Sequence, residues 1–229
     1  MSPDTLPFFM ELEQHNNREW FQANKARWEA IRDDFAELTA RVIDTLSPLD
    51  PTIGHPDPKR CIYRIYRDLR FTPDKRPYKT HISFFLSSGG VKRSGAPGYY
   101  LQIGQSDYGL EEGCSLGGGI FMPDSATLAA IRQEIYYNYD EFWSIVDNPV
   151  YQRFFGDTFF TTGKLTRAPK GYPNDWEGAD WLKYKDYCTM HALSKRDVSS
   201  PRFFDQVTAA FRASIPLNQF IQRAMGKEQ

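Results

Sequence analysis

Cysteine is scarce in this 229-residue chain, and what there is forms no motif: Cys61, Cys114 and Cys188 are odd in number and far apart. No C-x-x-C occurs, so neither a zinc knuckle nor a disulfide framework is implied. The expected state is three small buried hydrophobes in a reducing compartment. Histidine is almost as sparse. His15, His55, His81 and His191 are scattered, with no H-x-x-x-H and no carboxylate at ligand spacing, so no metal site and no cofactor is expected. Long apolar runs are missing too. No stretch approaches the roughly 20 residues that cross a bilayer, and Met1 to Phe9 carries no basic leader. A cytoplasmic protein without membrane contact is the expectation. No nucleophile is expected either, since Cys61 and Cys188 fall in predicted strands. Gly117-Gly118-Gly119 precedes a strand rather than a helix and so lacks the setting of a phosphate loop. A β-bulge, or close backbone approach to a ligand, is expected there.

What the chain has instead is aromatic residues, 15% of the total, which favours strands and well-filled cores. Its length is enough to remove roughly 70% of the unfolded surface from water. The net charge of −1 argues against a protein that coats nucleic acid non-specifically.

Asn16 and Glu19 read as a capping box that opens a helix at Trp20 and Phe21. Trp28, Ile31, Phe35, Leu38, Val42 and Leu46 recur at spacings of three and four, the apolar stripe of a long helix. The proline-rich segment 47–59 is a loop. From Cys61 the period changes to two, and 61–68, 80–87, 98–105 and 117–122 are predicted strands. The gaps between them suit antiparallel neighbours rather than helical crossovers. Further helices are predicted from Asp124, from Asn148-Pro149 to Gly156, and from Ser200-Pro201, with Pro216 expected to kink or restart the last. Two more strands are predicted at 163–168 and 185–191. This order predicts an α+β protein, a mostly antiparallel sheet backed by helices, as a single domain over 1–229.

Charge is where the chain departs from the ordinary. Between Lys59 and Lys79 eight basic residues face only Asp68 and Asp74, an excess of six positive charges, while 107–141 holds seven acids against Arg132 alone. In strand 61–68, alternation puts Arg64, Tyr66 and Asp68 on one face and Tyr63, Ile65 and Arg67 on the other. Thr72-Pro73-Asp74-Lys75 suits a type I turn. Arginine forks grip carboxylate or phosphate bidentately and lysine adds a point charge, so the stretch reads as a site for a small anionic ligand. Arg64, Arg67, Arg70, Lys75 and Lys79 would supply charge, Tyr78 a hydroxyl or stacking face, and Asp68 would orient arginines or act as acid/base. Asn17 and Arg18 would join if their helix end meets the turn. Three alternatives stay open. The arginines form an internal network with Asp68, Asp74, Glu19 or the acidic region; Tyr63, Tyr66, Phe71 and Tyr78 stack the bases of single-stranded nucleic acid; or the opposite poles pair with a protein partner. Lys164, Arg167 and Lys170 form a second basic run, a solvated edge or an extension of the first. Oligomeric state is not readable.

The motifs together carry a resemblance. Asn16-Asn17-Arg18-Glu19-Trp20-Phe21, Arg64-Ile65-Tyr66-Arg67-Asp68, Arg70-Phe71, Asp74-Lys75, Pro77-Tyr78-Lys79-Thr80, Gly117-Gly118-Gly119 before Met122-Pro123-Asp124, Arg132-Gln133-Glu134-Ile135 and Arg167-Ala168-Pro169-Lys170-Gly171 resemble the microbial domain-of-unknown-function family numbered 2461. The resemblance spans about residues 6–225 and implies a single-domain protein. It implies no activity and no catalytic residue.

Overall fold

The computed structural model describes residues 1–70, 73–89, 91, 95–105 and 113–226. Helices α1 (Thr5–Gln14), α2 (Arg18–Ala23), α3 (Lys25–Leu46) and the short α4 (Pro58–Cys61) lead into strands β1 (His81–Ser87), β2 (Gly98–Gly104) and β3 (Cys114–Ile120). Helices α5 (Ser125–Tyr137), α6 (Tyr139–Val146), α7 (Pro149–Phe155) and α8 (Ala179–Leu182) follow. Strands β4 (Tyr187–Cys188) and β5 (His191–Leu193), the short α9 (Lys195–Val198) and the long α10 (Phe203–Ala224) complete the order. The protein is α+β: among the described residues, ten α-helices accompany a five-stranded sheet whose pairings are all antiparallel. None of the described helices is long and apolar enough to cross a membrane.

Local chemistry sets most helix ends. Asp124 accepts the Thr127 N–H at 2.7 Å to start α5, and Asn148 accepts from Val150 at 2.9 Å with Pro149 in the first turn of α7. Gly156, at φ 67°, stops α7. The expected cap at Asn16 shifts by one residue: Asn17 caps α2 by accepting the Trp20 N–H at 2.9 Å. Pro216 does not restart α10, which runs through it. The proline sits on the exposed side, and the buried Phe211, Leu217, Phe220 and Ile221 outweigh one missing hydrogen bond.

Three predicted strands need correction. Cys61 ends α4, and 62–67 run beside 77–84 only through isolated pairings, Ile62 with Phe84 and Tyr66 with Tyr78. Between those pairings one side holds two residues more than the other, and Pro77 has no N–H to offer, so no regular ladder forms. Segment 163–168 keeps a single pairing, Lys164 with Tyr184. Segment 185–191 is broken into β4 and β5 opposite Gly117 and Gly118, where the Gly118 N–H bonds the Thr189 hydroxyl at 3.1 Å.

The two faces of the sheet differ. Ile82, Phe84, Leu86, Tyr99, Leu101, Ile103, Leu116 and Ile120 enter the hydrophobic core, where Phe84 meets Phe35 of α3 at 5.7 Å and Phe211 of α10 at 6.1 Å. A buried polar chain fastens α10 to this face. Asn218 accepts the Gly119 N–H at 2.7 Å and donates to the Gly98 carbonyl at 3.2 Å, while the Tyr99 hydroxyl donates to the buried Asp50 at 2.6 Å. The opposite face carries His81, Ser83, Phe85, Tyr100, Gln102 and Ser115, and it forms the floor of a cleft.

Candidate functional site

The basic stretch divides between two places. Its outward residues alternate as expected: Arg64, Tyr66, Asp68 and Arg70 are exposed, whereas Tyr63, Ile65 and Arg67 turn inward. Beyond Arg67 the loop is laced by its own aspartates. Asp68 accepts the Arg70 N–H at 3.2 Å, its Nε at 3.0 Å and its Nη2 at 2.7 Å. Asp74 repeats the pattern with Arg76, at 3.0 Å from the N–H and 2.8 Å from Nη2, and also takes Arg67 Nη1 at 2.8 Å. Each Asp-x-Arg is thus an Asx turn whose arginine returns to the same carboxylate. Lys75 Nζ donates to the Leu69 carbonyl at 3.0 Å. The internal-network reading therefore describes Arg67, Arg70 and Arg76. The Arg70 side chain and N–H lower the Asp68 carboxyl to about 2, which makes it a poor proton acceptor near neutral pH. The expected turn at Thr72 and the stacking residue Phe71 lie outside the described residues, as do Asp107, Glu111 and Glu112 of the acidic region.

The helix end at Asn17 and Arg18 does reach this stretch, by a link the sequence reading missed. Asn16 donates from Nδ2 to the Tyr78 carbonyl at 2.9 Å and accepts the Tyr78 N–H at 3.0 Å, pairing as a strand would. That clamp buries the Tyr78 ring, 2% exposed, face to face with Phe21 at 4.0 Å. Tyr78 is a packing residue, not a stacking face for a ligand. Asn17 and Arg18 stay exposed. Of the interleaved tyrosines only Tyr66 is well exposed, at 53%.

Lys79 leaves the loop behind and lines the cleft, its ammonium 5.2 Å from the centre of the Tyr63 ring. The cleft encloses about 600 Å³, within the range of small-molecule sites. Antiparallel register builds its floor in rows. Ser83, Gln102 and Ser115 stand side by side across β1, β2 and β3. His81 lies one row toward Lys79; Phe85, Tyr100 and Gly117 form the next row the other way. The Tyr100 hydroxyl donates to Gln102 Oε1 at 2.7 Å, and Gln102 Nε2 donates to the Gly113 carbonyl at 2.9 Å. Ser83 and Ser115 are buried, yet among the described residues their hydroxyls make no hydrogen bond, and both line the cleft. Both hydroxyls open onto the cleft, where water or a ligand can meet them.

The far end of the cleft is apolar. Phe121 and Phe160 face each other at 6.1 Å, with Cys188 and Met190 beside them. Asp186 holds both walls: it accepts the Met122 N–H and the Thr162 N–H at 2.7 Å each, and the Thr161 and Thr162 hydroxyls at 2.9 and 2.8 Å. Burial raises this carboxyl, but its hydrogen bonds, led by the Thr162 and Met122 N–H groups, carry the net shift below the ordinary aspartate range. Burial pushes the Cys188 thiol far up, so it is an inert packing group. Gly113-Cys114-Ser115-Leu116-Gly117 matches the G-x-S-x-G spacing. Ser115 lies within β3, however, and not on the strand-to-helix turn that exposes a nucleophile. Gly119 needs its glycine: φ is +101°, and a Cβ there would sit 2.1 Å from the Tyr187 carbonyl oxygen. The close approach is to a neighbouring strand.

The second basic run does not extend the first. Lys164 lies against Tyr184, its ammonium 4.3 Å from the ring centre, beyond β4 and at the opposite edge of the sheet from the arginine loop. Part of the acidic region is consumed internally, since Glu134 and Glu141 bind Arg223 at 2.9 and 2.7 Å.

These features define an α+β protein with a cleft on one sheet face, polar at one end and apolar at the other. The chain belongs to the family described as "Conserved hypothetical protein (DUF2461)", whose model matches residues 4–220. No match is found among curated proteins or among solved structures.

Proposed function

We propose that the protein binds a small anionic molecule in the sheet-face cleft, with Lys79 as its charged contact and the partly paired cations Arg64, Arg70, Lys75 and Arg76 outside it. The observation that carries this reading is the row of buried Ser83, Gln102 and Ser115 across the floor of the cleft, with His81 in the next row and Lys79 beyond it along the same edge. Hydroxyls and an amide can surround the oxygens of a carboxylate or phosphate, and one lysine beyond the row supplies the opposite charge. Arg64, which adds its field to that on Asp68, Arg70 and Lys75 then act at a distance, on encounter more than on affinity.

The test is calorimetric titration of the whole protein with a panel of phosphate and carboxylate compounds. Binding in the millimolar range or tighter is expected for at least one acid, abolished by Lys79→Ala and preserved in Arg70→Ala. Loss of binding in Arg70→Ala with retention in Lys79→Ala would move the site to the loop. If short single-stranded oligonucleotides bind instead, with an affinity that falls steeply with salt, the outer face around Arg64 and Tyr66 is the functional surface.

A further inference from the structure

We infer that the ligand of this cleft is an amphipathic acid, held with its anionic group toward Lys79 and His81 and an apolar body against the paired rings of Phe121 and Phe160. The inference rests on the reading that the cleft binds a small anion, and adds what the rest of that molecule must be. The rows of the sheet set the polarity. From the His81–Gly104 row to the Gly98–Gly119 row the register advances six residues on β2, about 20 Å of strand. A phosphate or acetate occupies only a fraction of that length. The Lys79 end offers an ammonium, an imidazole, two serine hydroxyls and a primary amide. The other end offers two aromatic rings, Met190, Ala96 and the backbone of Gly98 and Gly119, and its thiol, Cys188, is spent on the Phe160 carbonyl at 3.4 Å.

The apolar end is also a constructed wall. Phe121 is 38% exposed and its neighbour Met122, 66% exposed, adopts φ 50°, a backbone conformation that non-glycine residues seldom take. Asp186 holds that conformation through the Met122 N–H, and with the same carboxylate fixes Thr161 and Thr162 next to Phe160. One buried carboxylate thereby sets the 6.1 Å separation of the two rings. At that separation the two tilted rings pack on each other, and their solvent-open edges make an apolar surface against which a methylene chain or a flat ring can lie.

The experiment uses the wild-type protein and a series of probes: inorganic phosphate, acetate, butanoate, hexanoate, octanoate, octyl phosphate and octanol, titrated calorimetrically. Affinity is expected to rise from acetate to octanoate by roughly fourfold per buried methylene, the equivalent of about 0.8 kcal/mol each. Octanol is expected to bind at least about tenfold more weakly than octanoate, the loss of one charge-assisted contact. Comparison of octanoate with octyl phosphate identifies which acid group the polar end prefers. In Phe160→Ala the chain-length dependence should flatten while the requirement for an acid persists; in Lys79→Met the reverse should hold. Equal binding of acetate, phosphate and octanoate overturns the amphipathic assignment and leaves the anion reading intact. Equal binding of octanol and octanoate overturns the assignment of the charged end. If none of the acids binds, the anion reading beneath it falls.

Discussion

The loop from Asp68 to Arg76 and the floor of the cleft handle polar side chains in opposite ways. In the loop, charges are many, exposed and matched within two residues: Asp68 with Arg70, Asp74 with Arg76. On the floor the polar groups are few, buried and drawn from three strands; Gln102 is braced by Tyr100 and Gly113, and the Ser83 and Ser115 hydroxyls stand without a partner among the described residues. Exposed ion pairs hold little free energy because water competes for each partner. A hydroxyl or amide on a cleft floor is reached by few waters, so a partner of fixed position counts for more there. Concentrated charge along a chain is here partly met by its own aspartates, and the proposed binding site rests instead on the sparse polar row under the cleft.

The comparison breaks most visibly at Asp186. Replacing it with Ala frees two partly buried N–H groups and the Thr162 hydroxyl and leaves Thr161 its bond to Gly163, and a loss of roughly 2 kcal/mol is expected from urea unfolding, with the apolar end of the cleft undone. A change no larger than that from an exposed loop substitution would mean that the two walls are held by something other than this carboxylate. Acid should expose the same contrast. Because the folded-state pKa of Asp186 lies below the ordinary 3.8, its contribution is fully present above that value and is lost as pH falls through the lowered one. Wild type is therefore expected to lose stability below about pH 4 more steeply than Asp186→Asn, followed by thermal melts across that range. Of intermediate size is Tyr100→Phe. It removes the hydroxyl that donates to Gln102, and a loss of about 1 kcal/mol is expected, together with weaker acid binding as the amide loses its orientation. Unchanged binding in that variant would detach Gln102 from the site.

The elements were legible where a period repeats, and the site was not. The stripe from Trp28 to Leu46, the Asp124 and Asn148 caps and the alternation in 80–87 and 98–105 all rest on contacts within a few residues, which a linear reading captures. Residues 61–68 misled because alternation alone does not supply a ladder when Pro77 and a two-residue offset face it. Asn16 misled because its amide pairs with a backbone 62 residues away. The cleft was hidden for the same reason. Ser83, Gln102 and Ser115 share a row only through strand register, and nothing in any one segment marks them as neighbours. Lys79 was singled out for its charge, but its separation from the arginines beside it comes from which side of the pairing with Ile65 it leaves by. Local charge density drew weight to the arginines, and nothing local marked Lys79 as the cation of that stretch that lines the cleft.

The smallest expected effect is the sharpest test of the comparison. Arg70→Ala combined with Arg76→Ala removes two of the six excess positive charges, leaving the exposed Asp68 to water and the half-buried Asp74 to Arg67. No shift in the unfolding midpoint is expected. Equilibrium affinity for an acid that binds the cleft should stay within about twofold of wild type, because exposed rim charges act on encounter more than on the bound state. The association rate is where the change belongs. At low ionic strength it should fall a few-fold in the double variant, and the difference should vanish as salt shortens the reach of the field to about 10 Å or less. Stopped-flow mixing at two salt concentrations reads both quantities. A loss of affinity in the double variant as large as that of Lys79→Ala would return the binding site to the arginine loop, and the cleft floor would then be a polar layer with a purely structural role.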